Sequence, residues 1–341
     1  MTSASRSEIA TIPATAVEPF LAIRRLTVGF PASDGIALAS NLIEITVAPG
    51  RTLGLVGESG CGKSVTIRSI IGMVPPPGEI LEGEILWLGR NLVGLGEKEL
   101  RKIRGREIAM IFQDPGASLN PVHPVGAQIA EVYRVRLGLD KKEARKRSIE
   151  LLRAVGIPSP AVRARDYPHQ LSGGMRQRVM IAMAVACGPK LLLADEPTTA
   201  LDVTIQDQIL ALLVQLTQQS GMAMILVSHD LGVIAETCDE IAVMYAGYIV
   251  ERGSRDAVID APRHPYTRAL LAAELVFEPA SRKNHFETIA GQPPDLARLA
   301  SGCPFQPRCP HARPACADVS MELDRPAPLH GSACPFVEGD G

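Results

Sequence analysis

The chain has 341 residues, and its 35 lysines and arginines against 37 aspartates and glutamates leave a net charge of −2 at pH 7. That length allows two or three domains, and the near-neutral balance excludes a global basic field for nucleic acid or an anionic membrane. Hydrophobic residues at 46% and charged residues at 21% exclude wholesale disorder and a fibrous repeat.

Residues 1–19 mix Ser, Thr, Glu and Pro without an apolar stretch. They predict a flexible tail and no secretory signal, so we expect a cytosolic protein. The longest apolar run, 179–187, is too short to cross a bilayer.

Alternating apolar and β-branched residues predict strands at 21–30 and 41–48, joined by a turn over 31–35 as an antiparallel layer. A short apolar strand at 52–56 then leads through a glycine-rich turn into a helix at 63–73. Later apolar runs predict buried parallel strands at 107–112, 191–194, 223–228 and 241–245, with helices at 175–187 and 203–219. This order predicts an α/β fold with a sheet core.

Helical spacing dominates between the strands at 107–112 and 191–194, so we predict an inserted helical subdomain over about 114–178. Its basic run at 141–147 is interleaved with acidic residues, which favours a solvated helix face over a patch for an anionic partner. Pro, Arg and Cys become frequent after Gly253. We therefore predict a core domain over 20–260 and an appended region over 261–341.

The segment 57–64 matches G-x-x-x-x-G-K-[ST] between a predicted strand and a predicted helix, which is the context that phosphate binding requires. Glycines let backbone N–H groups surround phosphate oxygens, Lys63 reaches the β- and γ-phosphates, and the Ser64 hydroxyl ligates Mg²⁺. The context disfavours a simple glycine turn. The predicted nucleotide-binding residues are Gly57, Glu58, Ser59, Gly60, Cys61, Gly62, Lys63 and Ser64.

Five downstream elements resemble the ATP-binding cassette (ABC) family. The sequence LSGGMRQR at 171–178 is similar to its signature, although Met175 stands where Gln is commonest. Residues 191–197 are similar to the Walker B strand, and residues 200–202 are similar to the D-loop. Gln113 in FQDP and His229 in VSHD match the Q-loop and the switch histidine, in the family's order. The resemblance implies a P-loop cassette fold and an ATPase.

ATP hydrolysis needs a metal ion and a positioned water. Asp195, at a strand end, can hold Mg²⁺ together with Ser64, and Glu196 can orient and polarise the attacking water. The resemblance implies that His229 contacts the γ-phosphate and that Gln113 senses Mg²⁺ and water. Taken alone, a histidine after a strand is more often a capping or core residue.

The resemblance also implies contacts outside the P-loop. Phe30 corresponds to the aromatic residue that stacks on adenine, with simple core packing as the alternative. Val65 follows the P-loop serine where many members carry a hydroxyl, so one α-phosphate contact is missing. Residues of the signature and D-loop close over ATP held by a second cassette, so the chain must dimerise with itself or a paralogue. These residues are Ser172, Gly173, Gly174, Met175 and Asp202.

Three segments of the appended region, 264–271, 289–294 and 302–309, resemble the C-terminal extension of dipeptide and oligopeptide importers. The resemblance implies an ATPase that pairs with a different cassette beneath two membrane subunits fed by an extracytoplasmic binding protein. Such an ATPase lies on the cytoplasmic face of the membrane and binds no nucleic acid. The alternatives are a nickel or other small-solute importer, a soluble cassette ATPase, an exporter and an iron–sulfur sensor.

Four of the seven cysteines cluster in the appended region: Cys303, Cys309, Cys316 and Cys334. In a chain without a signal peptide, clustered thiols predict metal binding more than disulfides. Their C-x5-C-x6-C-x17-C spacing fits neither zinc sites nor bacterial ferredoxins, so spacing alone leaves a cluster, zinc and free thiols open. The importer resemblance implies a [4Fe–4S] cluster.

Overall fold

The computed structural model describes residues 18–199, 201–275, 289–325 and 330–336, so the predicted tail at 1–19 lies almost wholly outside the described residues. The described strands are β1 (Leu21–Ala32), β2 (Gly35–Val47), β3 (Thr52–Val56), β4 (Glu79–Trp87), β5 (Arg90–Asn91), β6 (Ile108–Ile111), β7 (Leu191–Asp195), β8 (Ala223–Ser228), β9 (Glu240–Tyr245), β10 (Tyr248–Ser254) and β11 (Gly331–Ser332). The described helices are α1 (Lys63–Ile70), α2 (Glu97–Ile103), α3 (Pro115–Ser118), α4 (Val125–Leu137), α5 (Lys141–Ala154), α6 (Pro160–Arg163), α7 (Gly173–Val185), α8 (Val203–Ser220), α9 (Leu231–Thr237), α10 (Arg255–Asp260) and α11 (Pro265–Leu275).

These strands form two sheets. An antiparallel sheet has the order β2-β1-β4-β5, and a larger mixed sheet has the order β11-β10-β9-β3-β8-β7-β6. Strands β6, β7, β8, β3 and β9 run parallel, whereas β10 and β11 are antiparallel additions at one edge. The mixed sheet with a separate antiparallel layer confirms the predicted α/β sheet core. The Cys-rich C-terminal extension remains a prediction.

The mixed sheet is covered on both faces. Successive residues of β7 alternate between two hydrophobic clusters, with Leu191 and Leu193 in one and Leu192 and Ala194 in the other. Side chains alternate across a strand, so a strand buried on both faces is apolar at every position. The cluster with Leu191 joins the antiparallel sheet and α1 to the mixed sheet, and the other joins the helices to its opposite face.

Several element boundaries differ from the sequence prediction. β2 begins at Gly35, before the predicted residue 41, so the turn is only Ser33 and Asp34. α1 ends at Ile70 instead of 73, because Gly72 has a φ of 62°, a left-handed conformation typical of helix ends. β9 is parallel to β3, as predicted, whereas β10, which is antiparallel to β9, was not predicted.

The chain between β6 and β7 is mainly helical, with α4 and α5 packed together and both contacting α7. The bounds of the helical subdomain and of the two larger domains remain predictions. No helix of the described ranges is long and apolar enough to cross a membrane. The C-terminal region returns to the mixed sheet, where Ser332 pairs with Glu251 and Gly331 with Arg252.

Candidate active site

The predicted functional side chains gather where the parallel strands end. Lys63 follows β3, Gln113 follows β6, Glu196 follows β7 and His229 follows β8. These strands are parallel neighbours, so their carboxyl ends lie at one edge of the sheet, which is where open α/β sheets bind ligands.

The loop between β3 and α1 depends on its glycines. Gly57, Gly60 and Gly62 have backbone φ values of 156°, 81° and 108°, which residues other than glycine rarely adopt. A Cβ atom at Gly62 would also overlap the carbonyl oxygen of Ala39. The loop can therefore turn tightly and direct the start of α1 toward a ligand.

Lys63 is buried inside this loop. Its Nζ donates to the Gly57 carbonyl at 2.6 Å and to the Glu58 carbonyl at 2.9 Å. Only 4% of Lys63 is exposed. The ammonium group is thus held beside the glycine-rich turn, where a phosphate would lie.

Ser64 and Asp195 face each other across the site. The Ser64 hydroxyl donates to Asp195 Oδ1 at 2.7 Å, and Arg68 Nη2 donates to Asp195 Oδ2 at 3.1 Å. Asp195 is fully buried. Hydroxyl and carboxylate oxygens suit Mg²⁺, so the pair fits the predicted metal site, and Arg68 balances the buried charge. The sequence prediction missed Arg68, although it lies four residues after Ser64 on α1 and so shares its helix face.

Glu196 is at the centre of a second group. Its Oε2 accepts from Gln113 Nε2 at 2.9 Å and from Thr199 Oγ1 at 3.0 Å, and His229 Nδ1 lies 3.8 Å away. The Glu196 side chain is 15% exposed and the His229 side chain 62% exposed. Glu196 has a φ of 46°, a left-handed conformation costly for a residue with a side chain. The sequence prediction missed Thr199.

The signature and D-loop residues lie together at the start of two helices. Ser172 caps α7 by accepting from the Met175 N–H at 3.3 Å, and Asp202 caps α8 by accepting from the Ile205 N–H at 3.0 Å. Gly174 lies against the Ile205 side chain, so both helix starts share one surface. Ser172 and Asp202 are exposed, whereas Gly173 and Met175 are half-buried. Ala200 of the predicted D-loop lies outside the described residues.

Phe30 and Val65 pack against the cluster that joins the two sheets. The Phe30 ring is half-buried and lies against Gly78, where it leaves no room for a Cβ atom.

The C-terminal region contacts the loop between β3 and α1, because Arg308 binds the Glu58 carboxylate. The sequence did not predict this contact, because Glu58 and Arg308 are far apart in the chain.

The four clustered cysteines line one cavity of about 350 Å³ in the C-terminal region. Burial raises the pKa of Cys303 to about 11 and also raises the pKa values of Cys309 and Cys334. Within the described ranges, no three His, Cys, Asp or Glu side chains converge as ligands of a metal ion. The sequence prediction of a four-cysteine metal site is thus matched by a shared cavity but not by converging ligands.

Two family models match the chain. One, described as ABC transporter, covers residues 40–199, and the other, described as oligopeptide/dipeptide transporter C-terminal region, covers residues 250–316. The second match covers most of β10, all of α10 and α11, and three of the four clustered cysteines, of which Cys316 is its last residue.

Curated relatives match along most of their length. The dipeptide transport ATP-binding protein DppD of Escherichia coli is 47% identical over 94% of this chain and 97% of its own. The oligopeptide transport ATP-binding protein OppD of Salmonella typhimurium is 48% identical over 98% and 99%.

A solved structure shares the fold. The dimeric post-hydrolysis state of the ATP-binding cassette MJ0796, bound to ADP and Pi, has a TM-score of 0.61 and 29% identity. The match covers 69% of this chain and 98% of that chain.

Proposed function

Since the chain belongs to the ABC transporter family of ATP-binding proteins, we propose that it is the ATP-hydrolysing subunit of an importer for dipeptides or oligopeptides. The observation that carries the peptide assignment is the match of residues 250–316 to the C-terminal region of oligopeptide/dipeptide transporters. DppD and OppD, which carry peptide transport in their names, match nearly the whole chain.

The P-loop binds the triphosphate of ATP. Backbone N–H groups at the start of α1 face the phosphates, and Lys63 exchanges its bonds to the Gly57 and Glu58 carbonyls for bonds to phosphate oxygens. Phe30 stacks on adenine, and Val65 adds only apolar contact. The remaining P-loop residues, Ser59, Gly60, Cys61 and Gly62, shape the turn around the phosphates.

We propose that Ser64, Asp195 and Gln113 supply the oxygen ligands for Mg²⁺. When bound, Mg²⁺ neutralises charge that develops on the phosphates. Asp195 already carries a partner in Arg68, so its carboxylate is held in place before the nucleotide arrives.

Glu196 orients the attacking water. Its carboxylate is fixed by Gln113 and Thr199, which leaves Oε1 free of the bonds that hold Oε2. A carboxylate held in this way can accept a water proton while the water oxygen attacks the γ-phosphorus and ADP leaves. His229, close to the same carboxylate, donates to the γ-phosphate.

A second cassette completes the site. Ser172, Gly173, Gly174, Met175 and Asp202 lie at exposed or half-exposed helix starts, and we propose that they close over the ATP of the partner. The dimeric state of the MJ0796 cassette supports this arrangement. The start of the thirteen-residue helix α7 presents positive charge to the γ-phosphate.

We propose that the partner is a different cassette of the same family, and that two membrane subunits and an extracytoplasmic binding protein complete the importer. The protein then lies on the cytoplasmic face of the membrane. The helical subdomain over about 114–178 transmits closure of the cassette dimer to the membrane subunits.

The cysteine cavity is proposed to hold a [4Fe–4S] cluster. Its support is the thiolate donor set, since Cys303, Cys309, Cys316 and Cys334 share one cavity. Anaerobically purified protein should contain iron and sulfide and absorb near roughly 400 nm. Cys316→Ser should lower the iron content, whereas Cys187→Ser, outside the cavity, should not. Protein without iron in both variants and in the wild type would reject the cluster.

Peptide uptake tests the proposed function. In a strain lacking the gene, uptake of labelled dipeptides and oligopeptides should fall and should return with the wild-type gene but not with Glu196→Gln. The matched control is Glu236→Gln, which neutralises an exposed carboxylate on α9 and should restore uptake fully. Normal peptide uptake in the deletion strain, with loss of nickel or another small solute, would transfer the proposal to that cargo.

A further inference from the structure

A short segment of the C-terminal region, residues 303–309, touches the P-loop through Arg308. Its guanidinium forms two parallel bonds to the Glu58 carboxylate, Nη1 to Oε2 at 2.6 Å and Nη2 to Oε1 at 2.9 Å. The Arg308 side chain is 5% exposed and the Glu58 side chain 24% exposed. A two-bond pair of this kind fixes both orientation and distance, and shielding from water strengthens it.

Glu58 is held by its backbone as well as by its side chain. Its N–H donates to the hydroxyl of the fully buried Tyr266 at 2.9 Å, and its carbonyl accepts from Lys63 Nζ at 2.9 Å. Glu58 therefore joins two residues of the C-terminal region, Arg308 and Tyr266, to the lysine of the P-loop.

Support at Glu58 acts on a part of the P-loop that its glycines make flexible. Glu58 lies between Gly57 and Gly60, which have φ values of 156° and 81°. In a loosened loop these glycines can adopt many other φ values, because they carry no Cβ atom. Holding a flexible residue in one conformation costs about 1–2 kcal/mol. A loop already ordered before the ligand arrives avoids that cost on binding.

The same segment is anchored behind Arg308. The Phe305 ring packs on Tyr245 at 5.2 Å and on Tyr266 at 5.3 Å between ring centroids, and Arg308 Nη1 also donates to the Tyr245 hydroxyl at 3.3 Å. Cys303 and Cys309, at the two ends of the segment, line the cysteine cavity. One short stretch of chain thus borders that cavity and holds the P-loop.

We propose that Arg308 is a positioning residue of the ATP site, so that the affinity for ATP depends on how the segment 303–309 is held. The proposal rests on ATP binding at the P-loop and adds the C-terminal region as a part of that site. Tyr266 acts with Arg308 by fixing the Glu58 N–H.

A double-mutant cycle in the full chain tests the proposal. Arg308→Gln and Glu58→Gln should each raise the Kd for ATP by about fivefold. The Kd of the double variant should be no higher than that of either single variant, because both substitutions remove the same ion pair. The kcat at saturating ATP should change by less than about twofold, because Arg308 orders the loop and does not touch the reacting atoms. Tyr266→Phe should raise the Kd by about threefold. Tyr248→Phe, which removes a hydroxyl bound to Asn41, is the control and should bind ATP normally.

Hydrogen exchange gives a reading that does not depend on turnover. Since coupling between two sites is reciprocal, ATP should slow amide exchange in the peptide that contains residues 303–309 in the wild type, and this protection should be lost in Arg308→Gln. Wild-type affinity in a folded Arg308→Gln variant, or additive effects in the cycle, would overturn the proposal. If Arg308→Gln does not fold, Arg308→Lys and Tyr266→Phe decide in the same assay. A wild-type chain that binds no ATP would instead reject the proposed function.

Discussion

The edge of the mixed sheet and the cysteine cavity hold their polar side chains differently. At the sheet edge, Ser64 is bonded to Asp195 and Gln113 to Glu196, so these groups are placed before any ligand binds. In the cavity, the four thiols line a shared space without converging on one point. Burial raises the pKa values of Cys303, Cys309 and Cys334 and so favours their neutral thiols, which are poor metal ligands. A ligand at the sheet edge binds to side chains that hydrogen bonds already hold in position. A metal centre in the cavity would instead have to bring its cysteine ligands together and displace their protons.

Removing Arg68 is the strongest way to break the prepared arrangement at the sheet edge. Arg68→Met leaves the fully buried Asp195 carboxylate with Ser64 as its remaining partner. Since Arg68 is itself 33% exposed, we expect a loss of about 2–3 kcal/mol in the free energy of unfolding. Urea denaturation measures this loss. Mg²⁺ and ATP should recover most of it, because the cation supplies the missing positive charge.

Arg134→Met, a change on the surface helix α4, is the control and should alter the free energy of unfolding by less than about 0.5 kcal/mol. Equal stability of Arg68→Met and the wild type would mean that Asp195 needs no prepared partner, and the contrast with the cavity would weaken.

The wall of the cavity contains a titratable group of its own. Burial lowers the pKa of His264 to about 3, and its Nδ1 accepts from the Tyr266 N–H at 3.1 Å, so the neutral ring caps α11. In the unfolded chain the ring protonates near pH 6.5, so the stability due to neutral His264 is complete above pH 6.5 and falls as the pH drops toward 3. Between pH 6.5 and pH 5 this should cost about 2 kcal/mol.

His264→Asn keeps a side-chain acceptor at the start of α11 and removes the titration. The difference in unfolding free energy between this variant and the wild type, followed by denaturation from pH 7 to pH 5, isolates the contribution of His264. A difference that does not change with pH would show that the ring protonates without opening the cavity wall.

One of the two hydrogen bonds that hold the Glu196 carboxylate can be removed by itself. Thr199→Val removes the 3.0 Å hydroxyl bond to the carboxylate and leaves the Gln113 bond in place. We expect kcat for ATP hydrolysis to fall by about fivefold with little change in KM, since the bond orients the carboxylate and does not bind ATP. Thr204→Val on the exposed face of α8 is the control and should hydrolyse ATP at the wild-type rate. A changed KM with normal kcat would place Thr199 in nucleotide binding instead.

Contiguous motifs made much of the site predictable. The P-loop residues are neighbours in the chain, so one contiguous motif indicated phosphate binding. The resemblance to the ABC family implied the roles of Asp195 and Glu196, and their position after a buried strand placed them at the sheet edge. Arg68 was within reach of the same reasoning, through its helical spacing from Ser64. The contact between Glu58 and Arg308 was not, because no local pattern relates residues so far apart in the chain.

The strands also fall into those that the sequence predicted and those that it missed. Strands buried on both faces, such as β7, are apolar throughout and were predicted. β4 was missed because its exposed glutamates, Glu79, Glu82 and Glu84, interrupt the apolar pattern. β11 was missed because its two residues, Gly331 and Ser332, carry no strand signal and form a strand only by pairing with β10.

The ion pair between Glu58 and Arg308 also has a consequence for biosynthesis. A ribosome adds about 5–20 residues per second. Glu58 therefore leaves the peptidyl-transferase centre roughly ten to fifty seconds before Arg308 does, at that rate of elongation. Throughout that interval the P-loop of the nascent chain lacks the ion pair between Glu58 and Arg308. The nascent chain thus acquires the Arg308 contact to Glu58 only after residue 308 has been added, long after the P-loop itself has been made.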